Sequence, residues 1–80
     1  MPRFFFHVRK GGSLIRDDDG AEAANLEAAK EMALKSVREL LADEIKAGAT
    51  DPIQSITVAD DRGNELLTIA ARDILPESLK

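Results

Sequence analysis

His7 is the one histidine of this 80-residue chain and the one side chain whose ordinary pKa lies near neutrality. It sits in the opening stretch MPRFFFHVRKGG, directly after all three phenylalanines. A histidine so placed is a general acid or base if a nucleophile accompanies it, and a hydrogen-bonded strand residue if none does. The chain has no cysteine, and no serine is recognisably placed with His7, so the structural role is preferred, with Asp17 or Asp19 across a hairpin as the partner. No catalytic residue is assigned and no enzymatic activity is expected. The acidic run DDDG at 17–20 invites a calcium loop, but the register fails. With Gly20 at loop position 6, positions 1 and 12 fall on Ile15 and Leu26, where carboxylates are needed. A solvated turn is the expected role of Asp17, Asp18 and Asp19, and of Asp60 and Asp61 further on. Gly11 and Gly12 lack the spacing and the lysine of a phosphate loop. One histidine without cysteine is too few for structural zinc, so neither metal nor cofactor is expected.

Basic residues gather at the start of the chain: Arg3, Arg9, Lys10 and Arg16 fall within the first 16 positions, and acids dominate the remainder. A hairpin carrying them suits phosphates, which keeps a nucleic-acid-associated regulator of antitoxin-like kind as the alternative function. The net charge of −4 opposes it, and neither a helix-turn-helix nor an aromatic and basic sheet motif is present. Nucleic acid is therefore the less favoured partner.

These side chains must be held by few elements. RFFFHVR at 3–9 is aromatic and β-branched enough to form a strand, KGGS turns it, and SLIRD at 13–17 returns as its hairpin mate. From Asn25 the apolar period changes to that of a helix: Leu26, Ala29, Ala33, Val37, Leu40, Leu41 and Ile45 recur on one side. Asn25 suits the cap that accepts a free first-turn amide, and Gly48 suits the left-handed residue that closes the last turn. After the linker GATDP, IQSITVAD at 53–60 and NELLTIAAR at 64–72 read as two more strands joined through DDRGN. The expected fold is an α+β domain over residues 1–75. It is a ββαββ chain with a four-stranded, mainly antiparallel sheet and one long amphipathic helix on one face. Residues 76–80 are expected to fray after Pro76. The first strand belongs in the interior, in chain-order arrangement 2-1-3-4 or 2-1-4-3, because both its faces carry aromatics.

Strand alternation puts Phe4, Phe6 and Val8 on one face and Phe5, His7 and Arg9 on the other. The uncharged set is assigned to the helix. Phe5 would then lie on the open face, beside His7 and Arg9 and joined by Leu66 or Leu67, as an apolar patch rimmed by charge. A second candidate surface is the far end of the helix. At 1.5 Å per residue a helix over 26–47 is about 33 Å long, against about 20 Å for a six-residue strand, so Leu40, Leu41 and Ile45 overhang. So small a domain has little core and no disulfide to staple it, which makes self-association the remaining device.

Three stretches together, MPRFFFHVRKG, the block from DDDGAEAANLEAAKEM to DEIKAG, and ITVADDRGNELLTIA, resemble the DUF6894 family of small, mostly alphaproteobacterial proteins. Its members start with Met-Pro-Arg, an aromatic pair and His, and carry an acidic turn with Gly before a Leu-Glu-Ala-Ala helix start. Asn25 stands where an acidic residue is usual, and either caps a helix. The resemblance spans nearly the whole chain, implies a bacterial cytosolic protein, and supplies no reaction and no catalytic residue. No apolar run reaches the roughly 18–20 residues of a membrane span and no signal peptide is visible, so the cytoplasm is the expected location and no membrane a partner. The expected function is that of a small non-catalytic protein-binding or adaptor module, acting as a homodimer with a further protein partner unidentified.

Overall fold

In the computed structural model, residues 1–48 and 52–74 are described. The expected fray at 76–80 and most of the GATDP linker lie outside them. The elements run β1 (Arg3–Lys10), β2 (Ser13–Ile15), β3 (Ala21–Glu22), α1 (Leu26–Ala47), β4 (Ile53–Ala59) and β5 (Glu65–Ala70), with a 3-10 turn at Ala71–Asp73. The fold is α+β, with the ββαββ order read from the sequence and one small addition, β3. All pairings are antiparallel, and the sheet order is β2-β1-β4-β5, with β3 also on β1. This is the first of the two strand orders anticipated, and it places β1 inside.

Alternation along β1 sends Phe4, Phe6 and Val8 to the α1 side. Phe6 lies opposite Val58 and Val8 opposite Ile56, while β5 adds Leu67 opposite Val58 and Ile69 opposite Ile56. Phe4, Ile56 and Val58 are buried, and Phe6, Val8, Leu67 and Ile69 pack half-buried around them. The helix meets this surface with Ala29, Ala33, Val37 and Leu41, an unbroken i, i+4 row. Ala29 and Ala33 in its first half are fully buried, in one cluster with Phe4. Leu26, Leu40 and Ile45 of the expected stripe stay exposed.

Both helix ends are closed as the residue types require. The Asn25 side chain accepts the Ala28 amide at 2.8 Å, and Gly48 adopts φ 67°, a left-handed value that a side chain would strain. β2 and β5 are shorter than the stretches read as strands from the sequence. β2 stops at Ile15 because Asp17 turns inward, and β5 gives way at Ala71 to the 3-10 turn, whose Ala71 is buried.

Candidate functional site

Two hollows on opposite sides of the sheet hold the side chains singled out above. The first grows from a gap in the sheet. The outer side of β1 pairs with β2 at residues 8–10 and with β3 at 3–4, leaving its middle without a strand partner on that side. Asp17 fills the gap. Its Oδ2 accepts the Phe6 amide at 3.1 Å, and its Oδ1 accepts the amides of Asp19 at 3.2 Å and Gly20 at 3.0 Å. The backbone N–H of Asp17 in turn donates to Nδ1 of His7 at 3.0 Å. A backbone amide can only donate, so in the neutral ring Nδ1 is the bare nitrogen and the proton sits on Nε2.

Burial pushes the Asp17 carboxyl up, but the Gly20, Phe6 and Asp19 amides and the neighbouring His7 outweigh it, and the group titrates below its ordinary 3.8. Gly20 completes the turn with φ 68°. A Cβ there would lie 2.7 Å from the Phe4 carbonyl oxygen and 2.9 Å from the Phe5 ring. Asp18 and Asp19 are exposed, and Arg3 spans the turn by donating to the Asp19 carbonyl at 3.0 Å and pairing with Glu22 at 3.4 Å.

Phe5, His7 and Asp17 form one wall of a shallow hollow of about 210 Å³, and the β4–β5 turn, through Asp60 and Asp61, forms the other. Asp60 is itself engaged, accepting the amides of Arg62 at 2.9 Å and Asn64 at 2.8 Å, together with the Asn64 side chain at 3.0 Å. Those bonds with Asn64, more than any other influence, hold its carboxyl below the ordinary value. The carboxylates here organise turns, and no group of three or more metal-ligating side chains converges among the described residues.

Of the side chains expected on the open face, Leu67 is the one the sheet places elsewhere. The Phe5 ring lies over Gly20 and is half-buried by the chain's own turn. Leu67 faces the core because it pairs with Val58, while Leu66, at the register shift on β5, is exposed. His7 is half-buried and Arg9 exposed, on the face away from α1.

The second hollow is an apolar groove of about 460 Å³ between the last turns of α1 and the β1–β2 hairpin. Val8, Ile15, Leu40, Ala47 and Ile53 line it. Leu40 is exposed as expected, but Leu41 is not available there, since it belongs to the buried row beneath the helix. Ile45, 61% exposed, projects away from that row.

Glu44, at the groove's edge, is a residue the sequence reading passed over. Its Oε1 accepts the Ile53 amide at 3.0 Å, and Lys10 Nζ stands 2.9 Å from its Oε2. No directed hydrogen bond reaches that Oε2 from the described residues, so the lysine charge is what compensates it. Burial raises the Glu44 carboxyl, but the Ile53 amide and Lys10 bring it below its ordinary 4.5. The signal was present in the chain, because Glu44 extends the Val37–Leu41 row by one turn, where an acid must find partners.

An antiparallel sheet closed on one face by one capped helix defines a small α+β domain. A family described as Domain of unknown function (DUF6894) matches residues 3–74, and the chain belongs to that family. No curated protein and no solved structure matches it.

Proposed function

We propose that this protein is a small non-catalytic binding or adaptor module that acts as a homodimer in the bacterial cytoplasm, in an alphaproteobacterium if the family resemblance extends to origin. The observation that carries the reading is the apolar groove at the end of α1. Two of the side chains that line it, Ile15 and Leu40, are 53% and 40% exposed. A chain of 80 residues gains stability by covering such surface, and clustered apolar side chains rimmed by charge mark protein contacts. No described helix is long and apolar enough to cross a bilayer.

The basic hairpin favours the phosphate-binding alternative less than its sequence does. Arg3 pairs with Glu22, Lys10 pairs with Glu44, and Arg16 lies in the hollow that Asp17, Asp18, Asp60 and Asp61 share.

The module reading is tested with Leu40→Glu, which places a charge in the groove without touching the core. Proteins captured by the tagged native chain should be lost with this variant, while circular dichroism of the two stays alike. Equal capture by both would remove the groove from the proposal. Binding of duplex or single-stranded DNA at physiological salt, abolished by Arg9→Ala, would favour the alternative.

A further inference from the structure

The two edges of the sheet are not alike. β2 is an edge of three residues, too short to template much pairing, whereas β5 is six residues long and no described strand pairs with its outer side. Sheet edges are ordinarily guarded by lysine, proline or an inward charge. From the register shift at Leu66 onward, β5 runs Leu66-Leu67-Thr68-Ile69-Ala70 with none of these.

We propose that this edge pairs with β5 of a second copy, antiparallel about a two-fold axis at Thr68, so that two sheets become one. The proposal rests on the homodimer reading but assigns its surface to β5, leaving the groove at the end of α1 to the further protein partner. A two-fold axis normal to the sheet keeps each face on its own side, so only residues of like parity oppose each other. The regularly paired stretch Leu67–Ala70 admits an axis at Thr68 or at Ile69, and an axis at Ile69 would set Leu67 against Ala71, which has left the strand, so Thr68 sets the register. Thr68 then faces Thr68 of the second copy on the side away from α1, and Leu66 faces Ala70 there. Leu67 faces Ile69 on the α1 side, where both are half-buried in the single chain.

The helix adds to this contact. Leu40, Asp43 and Ala47 turn toward β2 and line the groove, so the 3.6-residue period carries Leu34 and the exposed Ile45 to the opposite flank, on the β5 side. Five strand residues alone fall well short of the roughly 800 Å² per partner of a standard interface. Ile45, exposed on that flank, is the apolar side chain placed to extend the contact, and so small an interface should dissociate on dilution through the micromolar range.

Light scattering reads the outcome. The native chain should show twice its 8.7 kDa at high concentration. Thr68→Lys and Thr68→Glu, each alone, set like charges against each other at the axis and should run at the single-chain mass. Mixed in equal amounts they should recover the doubled mass, because lysine then faces glutamate. Leu40→Glu, in the groove, should leave the dimer intact.

A native chain that is monomeric throughout overturns the homodimer reading and this interface together. A dimer that survives both Thr68 variants and is lost in Leu40→Glu overturns the β5 interface alone, leaving the homodimer reading standing. Failure of the mixture to restore the mass overturns the axis at Thr68. If the variants do not fold, amide exchange of the native chain decides: residues 66–70 should gain protection as concentration rises, and concentration-independent exchange there refutes the pairing.

Discussion

Asp17 and Gly20 are the two residues of the acidic run with a fixed structural task. Asp17→Ala would leave the amides of Phe6, Asp19 and Gly20 without their acceptors, a loss of about 1–3 kcal/mol, whereas Asp17→Asn keeps one acceptor oxygen, turns an NH2 on the amides the other served, and should lose somewhat less. Denaturant melts of the two variants measure the difference, and equal losses would mean that charge, not hydrogen bonding, holds the turn. Gly20→Ala should cost more than Asp17→Asn, since a side chain there meets the Phe4 backbone as well as left-handed strain. Asp18→Ala, exposed and without a partner that the fold requires, should leave the melt within about 0.5 kcal/mol of native.

The same carboxylates set the acid limit of stability. Asp17 and Glu44 titrate below 3.8 and 4.5, their ordinary values, so the unfolded chain binds protons more readily than the folded one as pH falls. Stability is then complete above about pH 5 and declines as pH falls through the folded-state values. Urea midpoints between pH 7 and pH 2 should follow this fall. Asp17→Asn should flatten it, and an unchanged slope in that variant would show that Asp17 is not among the groups responsible.

Among the elements, α1 is where local and long-range forces divide most clearly. Its cap at Asn25 is a local device, and Asn25→Ala should cost about 0.5–2 kcal/mol by freeing the Ala28 amide. Glu44 is a tertiary one, tying the last turns of the helix to the start of β4 and the end of β1. Glu44→Ala should cost about 1–3 kcal/mol, mostly through the unsatisfied Ile53 amide, because the partly exposed Lys10 ion pair is screened. Glu44→Gln retains an oxygen for Ile53 and should recover much of the loss. A double-mutant cycle with Lys10→Ala apportions the remainder, and a coupling above about 1 kcal/mol would contradict the screened pair.

For the whole molecule, stability rests on a thin layer between one helix and one sheet. A domain of this size has on the order of 4–12 kcal/mol of total stability. Phe4→Ala, at a site only 6% exposed, should cost about 3–5 kcal/mol and leave little folded protein at 37 °C. The half-buried Phe5 and Phe6 should each cost less. Thermal melts of the three alanine variants rank them, and a loss at Phe5 equal to that at Phe4 would mean that the face away from the helix also becomes closed.

The elements themselves were legible in the chain. The 3.6-residue period from Leu26, the Asn25 cap, the Gly48 stop and the alternation of RFFFHVR each depend on neighbours within a few positions. Backbone sterics and a capping hydrogen bond act at that range whatever the rest of the fold does. The interior place of β1 followed too, from aromatics on both its faces. What only the tertiary structure decided are the partners met at longer range. The amides of Phe6, Asp17 and Ile53 find their acceptors 9 to 11 residues away, and the two-residue β3 exists only because β1 offers it an edge. The inward turn of Leu67 and the outward one of Leu66 depend on the register shift against β4. A slip of one residue exchanges every side chain between faces, and that register is set by the pairing of the whole sheet rather than by any segment within it.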